Sequence, residues 1–371
     1  ARAERGFKSE RCLNPVLRRI TLDFVVLLRA VLDDCIRAHD VGCLPAVARG
    51  VLSMKHDVRF AAIGVSIALV CLAQPAAART CEAPPALTSV DPPGFYQNAG
   101  GYAEAIKPLH AFIAEVNKAA DEHDLDCVMD LLAGWARGSA LLTSGANYQS
   151  DFERSWAGTD FALALLRFPA APTKADHRFQ QIKPWLIRIA EETRDADRIN
   201  HLGNNLVYWA GLDLMSIGTL TDRGDLVDAG ISRARQGIRD IGPHGELERE
   251  LKRGERALHY HNFALTPLVF CAELASRRNI DLYAENNGAI HRLAGLIVRA
   301  VKDERSFGAR TQVQQQLFPW TFQGDLAWME PYYARFHSPD LPAIIRARRP
   351  FNNPRLGGNV TAVWGAPLPN S

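Results

Sequence analysis

The chain has 371 residues, with 43 Lys and Arg against 41 Asp and Glu, and a formal net charge of +2. That balance leaves no electrostatic footprint for nucleic acid, although local basic clusters could still receive an anionic polymer. With 47% hydrophobic and 23% charged residues, the composition is that of a globular protein with a core to bury.

The first eighty residues stand apart from the rest. Met54 to Arg59 is a short basic start, Phe60 to Ala73 an apolar run, and Ala76-Ala77-Ala78 the small residues of a cleavage site. Residues 54–78 are therefore expected to be a secretory signal peptide, which places the mature chain, from Arg79, in the periplasm. The run is too short for a transmembrane helix. Cys71 follows Val70, where a lipid anchor would want a small residue, so no stable membrane association is expected after cleavage. Residues 1–53 are Arg-rich, contain Cys12, Cys35 and Cys43, and read as a non-native upstream extension, a genuine cytosolic extension being the alternative. Three cysteines remain beyond the signal. An oxidising compartment permits a bridge, and Cys81 with Cys127 is the expected pair, tethering the tail to the body. Cys271 lies in an apolar run and reads as a small buried hydrophobe.

Pro84, Pro85, Pro92 and Pro93 mark an extended lead-in. From there apolar residues recur at three- and four-residue spacing. The expected helices are Ala105–Ala119, Cys127–Leu142, Asp160–Leu166, Phe179–Arg194, Leu206–Leu220, Leu226–Ile238, Ala264–Arg277, Asn286–Val301 and Asp325–Phe336. Strand-like alternation is scarce. Short connections at Gly224 and at Gly242 to Gly245 predict successive antiparallel helical hairpins. An all-α fold follows, an incomplete α/α toroid with a cleft at one end of its inner layer; a plain helical bundle is the competing architecture. Residues 79–371 are expected to form one domain. The Pro/Gly/Asn-rich tail beyond Arg349 reads as irregular chain packed over the body.

Chemistry concentrates between Glu250 and Ala275. Arg253 and Tyr260 are seven residues apart, two turns of a continuous helix, so both would face the same way. Fixed positive charge near a phenol favours its ionised form, which suits proton abstraction. His259 and His261 resemble a metal pair, but no matching carboxylate–histidine spacing follows, so neither a metal nor another cofactor is expected. Trp209 lies four residues after Asn205 on the same helical face, where an aromatic ring could be core or could stack on a sugar.

Taken together, several segments in one order resemble the alginate lyases of polysaccharide lyase family 5. They are Cys81 to Pro85, Leu125 to Trp135, Asn147 to Trp156, Asn204 to Trp209, Thr221 to Leu226, Glu250 to Leu265, Trp328 to Tyr332 and Pro350 to Gly358. The finer likeness is to the broad-specificity polyuronate lyases of that family, which act on hyaluronan, poly-glucuronate and poly-mannuronate. The resemblance implies β-elimination at a 4-linked uronic acid within an anionic polysaccharide, by a monomer. It makes Tyr260 the proton-transferring tyrosine, Arg253 the catalytic arginine and Asn205 the asparagine that binds the substrate carboxylate. It also assigns Asn147, Tyr148, Arg154, Trp156, Trp209, His259, His261 and Asn262 to sugar binding. The early lid tyrosine of the family has two candidates, Tyr96 and Tyr102, and the sequence does not choose between them.

One position departs from the family. Leu206 stands where a histidine is usual, and leucine can neither neutralise a carboxylate nor take a proton. Either His259 or His261, flanking Tyr260, has taken over, or the chain is a catalytically impaired relative that binds polysaccharide. A glycoside hydrolase on a similar toroid would need two opposed carboxylates, and none accompany these motifs.

Overall fold

The structure is a computed structural model that describes residues 81–303, 305–316 and 324–369. The signal-peptide and extension readings of residues 1–78 lie outside the described residues.

Two kinds of helix build the body. The first kind is amphipathic: α2 (Leu125–Arg137), α5 (Phe179–Asp195), α8 (Gly224–Asp240) and α11 (Glu285–Lys302) each bury one stripe and show polar residues on the other side. A helix with one apolar stripe belongs on the outside of a helical layer. The second kind is buried nearly all round. In α3 (Tyr148–Leu165) every residue from Gln149 onward is buried, and α7 (Asn205–Thr221) and α10 (Ala257–Ser276) are almost as enclosed. These three, with α1 (Ala99–Asp121), form the inner layer. α1 packs on α3, α3 on α7 and α7 on α10, while α2, α5, α8 and α11 cover them from outside. Inner and outer helices alternate along the chain, so the architecture is the expected α/α toroid.

Short helices fill the connections: α4 (Ala170–Ala175), α6 (Asp197–Asn200), α9 (Glu248–Leu251) and α12 (Arg305–Thr311). Capping fixes where the inner helices begin. Asn98 accepts from Gly101 N–H, Asn147 from Gln149 and Ser150 N–H, and Asn204 from Leu206 N–H, satisfying donors that no helical carbonyl can reach. Between α7 and α8, Asp222 ends the first helix in the left-handed region at φ 60°, so the hairpin needs only Asp222 and Arg223. Two apolar cores result, one among α1, α2, α3 and α5, the other among α7, α8, α10 and α11. Residues from α3 and α7 contribute to both. The predicted tether is present as a Cys81–Cys127 disulfide, and Cys271 is buried.

Beyond α13 (Met329–Phe336) and α14 (Pro342–Arg348), the tail differs from the irregular chain expected. Asn352–Asn353 (β1) and Gly358–Asn359 (β2) pair antiparallel, and α15 (Val360–Trp364) follows. The hairpin tip is seated on the inner layer. Gly357 has φ 78°, a Cβ there would meet Ala164 N at 2.9 Å, and its N–H donates to the buried Asp160 carboxylate at 2.8 Å. Glycine is the residue for both demands.

Candidate active site

Because outer helices alternate with inner ones, the N-termini of α1, α3, α7 and α10 open toward one end of the toroid. Polar residues of the buried helices collect there: Gln149 to Ser155 on α3, Asn204 and Asn205 on α7, and His259 to Asn262 on α10. Helix N-termini carry unpaired N–H groups and the positive end of the dipole, which favour a bound anion.

At this end Tyr260 meets a second tyrosine. Its hydroxyl donates to the hydroxyl of Tyr96 at 2.9 Å. Each phenol lies under an arginine: the Arg253 guanidinium is 4.6 Å from the Tyr260 ring centroid, and that of Arg256 is 4.0 Å from the Tyr96 ring. The two-turn helix expected between Arg253 and Tyr260 is absent. α9 ends at Leu251, a 3₁₀ turn covers Gly254–Arg256, and Gly254 takes φ 60°. The contact forms because the turn folds the arginine back onto the ring. Of the two candidate tyrosines, Tyr96 is the one that reaches Tyr260, whereas Tyr102 is buried and donates instead to Glu153 at 2.6 Å.

The electrostatics of Tyr260 reverse the sequence expectation. Burial pushes its phenol well above the ordinary tyrosine range, and the bond to Tyr96 adds to this. Arg253 and Arg256 pull the other way without prevailing. Desolvation of the phenolate outweighs two partly exposed cations. His259 stands beside it, ring centroids 5.1 Å apart, and stacks on Phe263. Burial, then the charges of Arg355 and Arg256, lower its imidazole to about 4, so it is neutral at neutral pH.

Several predicted contacts turn out to be internal. Asn205 is fully buried, and its Nδ2 donates to Glu250 Oε1 at 2.8 Å. Glu250 in turn faces Arg253 Nε at 3.6 Å. Asn205 thus reaches the arginine through a carboxylate, while its Oδ1 is buried without a hydrogen-bond partner among the described residues. Trp209 is core: its indole N–H donates to Phe263 O, and its ring packs on Phe263. His261 is enclosed, accepting from Leu247 N–H and contacting Ala257 O, so it cannot replace the missing histidine. Asn262 ties Asp325 O to the indole of Trp328. Arg154 is buried against Asp151, and Asn147 spends its amide on capping α3 and on Pro92 O. Buried polar groups are normally satisfied, and most of these are satisfied by the fold, whereas Asn205 Oδ1 and Arg154 Nε are buried without a hydrogen-bond partner among the described residues. Tyr148, 47% exposed, remains at the surface, and Leu206 is half-buried against the core.

Comparison with known proteins settles the lineage. Residues 96–307 match the family described as Alginate lyase. The alginate lyase of Pseudomonas aeruginosa (strain PAO1) is 34% identical over 259 residues, covering 68% of this chain and 71% of that protein. The chain belongs to the alginate lyase family. It is a polysaccharide lyase. The alginate lyase of Pseudomonas putida (strain KT2440) is 36% identical over 247 residues, 65% of this chain and 67% of that one. Among solved structures, alginate lyase A1-III from Sphingomonas species A1 superposes with a TM-score of 0.66 at 27% identity, covering 78% and 87% of the two chains. A variant of alginate lyase A1-III complexed with tetrasaccharide gives 0.65 at 27% identity, covering 77% of this chain and 86% of that one.

Sequence reasoning on the lyase passed over three residues of this end. Arg355, at the hairpin tip, lies 4.3 Å from the Trp156 ring centroid and 5.7 Å from that of Phe263; Asn353 Oδ1 holds its N–H at 2.9 Å. Asp325 is half-buried, and burial lifts its carboxyl to about 7 against the pull of Arg355. Glu250 joins Asn205 to Arg253. The signal for Arg355 was present as an arginine followed by Leu356 and two glycines, in a tail that otherwise read as covering. Arg253 and Glu250 also line a cavity of about 600 Å³ with Asn204, Tyr208 and Arg249. The cysteine pair and Asp124 lie close enough to suggest metal ligands, but the two sulfurs are already bonded to each other.

Proposed function

We propose that this lyase cleaves 1,4-linked polyuronates by β-elimination, with alginate or poly-mannuronate, poly-glucuronate and hyaluronan as the substrates to consider. The observation that carries this reading is the Tyr260–Tyr96 hydroxyl pair beneath Arg253 and Arg256. A uronate bound there meets positive charge for its C6 carboxylate and a phenol for its C5 proton. Charge placed where the enolate-like intermediate develops supplies the largest share of such catalysis. Tyr260 removes the C5 proton as phenolate. The electron pair forms the C4–C5 double bond, the C4–O4 bond breaks, and O4 leaves with the proton Tyr260 returns to it. Substrate oxygen displacing the Tyr96 hydroxyl removes one of the groups that keep the proton on Tyr260.

In this reading Leu206 leaves α7 without an imidazole, and His259 supplies one from α10. Its neutral form accepts a proton, and it borders Tyr260. Asn205 serves by holding Glu250 toward Arg253. A second reading, a polysaccharide-binding relative with little turnover, is favoured by Leu206 alone. We also infer export to the periplasm, supported by the signal-like residues 54–78 and by a disulfide that needs an oxidising compartment. The test is ultraviolet absorbance of unsaturated uronate ends after incubation with each polymer. Absorbance supports elimination, binding without it supports the second reading, and new reducing ends without absorbance indicate hydrolysis.

A further inference from the structure

Glu153 is a carboxylate that the proposed reaction does not use, buried in the polar first turns of α3. Such a group is costly unless bonded. Its Oε1 accepts from Tyr102 Oη at 2.6 Å and from Gln149 Nε2 at 3.0 Å, and its Oε2 faces His110 Nε2 at 3.9 Å. Burial raises the carboxyl, while Arg355 and the bonds from Tyr102 and Gln149 lower it.

Tyr102 is the first buried residue of α1 after the segment that carries Tyr96. Its ring meets Phe95 edge to face at 5.3 Å, and Phe95 meets Tyr96 the same way at 5.1 Å. Phe95 and Tyr96 are 40% and 52% exposed, so this ladder joins Arg256 and the Tyr260 hydroxyl in holding the second phenol. The other end of the segment is tied down separately: Asp91 accepts from Ala146 N–H and Ser150 Oγ, and Pro92 O accepts from Asn147.

We propose that Glu153 and Tyr102 are positioning residues: their hydrogen bond latches residues 92–98 so that Tyr96 stays over Tyr260. The proposal rests on the active-site reading above but is measurable without turnover. Tyr102→Phe deletes the latch hydroxyl and keeps the ring that holds Phe95. Amide hydrogen exchange of residues 92–98 in this variant should accelerate about tenfold, the worth of one hydrogen bond to a charged acceptor, while α3 exchanges as before. Glu153→Gln keeps an acceptor for Tyr102 but removes its charge, so exchange of the strap should fall between wild type and Tyr102→Phe. Unchanged exchange in Tyr102→Phe overturns the proposal, as does acceleration spread evenly through α1 and α3. In turnover, Tyr102→Phe should cost activity in the wild-type background and little in a Tyr96→Ala background; full additivity overturns the latch. Accelerated exchange in an enzyme that eliminates no polyuronate would leave the latch standing and sink the active-site reading instead.

Discussion

Arg253→Met tests the electrostatics of the site, because methionine keeps much of the stem and removes the charge. At an effective dielectric of about 20, unit charges about 5 Å apart interact by about 3 kcal/mol, and the guanidinium lies 4.6 Å from the Tyr260 ring. The Arg253 side chain is 38% exposed, so solvent screening brings that to about 1 kcal/mol. Removing the arginine therefore raises the phenol further and moves the rising limb of the pH–rate profile upward by about 1 unit or slightly less. In the proposed reaction the same charge faces the substrate carboxylate as the enolate forms, and losing one such group costs about 10²- to 10³-fold in kcat. The assay is the initial rate of unsaturated uronate formation from poly-mannuronate, recorded across about pH 6 to 10, below the raised phenol, where the rate climbs with pH and the variant's limb is displaced. A variant that keeps more than about one third of the wild-type rate, with an unmoved pH profile, would refute the reasoning.

Leu206→His should raise the elimination rate by about tenfold or more, the lower end of what a positioned proton-transfer group supplies; no change on any polyuronate would mean that His259 already does the work or that the position is idle. Ring-proton NMR should show His259 and His261 neutral from pH 7 down through 5 and protonating near 4. Both values lie below the unfolded histidine value, so their contribution to stability is complete above about 6.5 and is lost as pH falls toward 4; a midpoint near 6.5 for either contradicts their burial. Arg349→Ala strands the fully buried Glu330, which now receives Arg349 Nε at 2.8 Å and Nη2 at 2.6 Å. Urea denaturation should show a loss of about 3–5 kcal/mol, and a loss under about 1 kcal/mol would contradict the pairing.

The outer helices were legible in the sequence because each has a wet face. Phe179–Arg194 and Leu226–Ile238 were expected, and Phe179–Asp195 and Gly224–Asp240 were found. Among the inner helices α7 was found almost as expected, at Asn205–Thr221 for a predicted Leu206–Leu220, but α3 was not so plain. α3 was expected only from Asp160 but starts at Tyr148, because Gln149, Asp151, Glu153 and Arg154 are polar and yet buried. Periodicity needs two contrasting faces, and an enclosed helix has none. The same enclosure explains the site. Types of residue suited to sugar binding were identified at Trp209, His261 and Asn262, and sequence could not tell that each spends its polar atoms inside the fold. Arg253 and Tyr260 were paired correctly through the wrong geometry, a helix in place of a turn. Arg355 escaped notice because the hairpin that presents it depends on Gly357 lying against α3, a long-range contact without a local pattern.

The most direct measurement compares wild type with Tyr260→Phe on poly-mannuronate, poly-glucuronate and hyaluronan, reading unsaturated ends by absorbance and reducing ends in parallel. The account predicts that absorbance and reducing ends appear together for wild type on at least one polymer and that both vanish in the variant. Undiminished cleavage by Tyr260→Phe, or reducing ends that appear without absorbance, would contradict it.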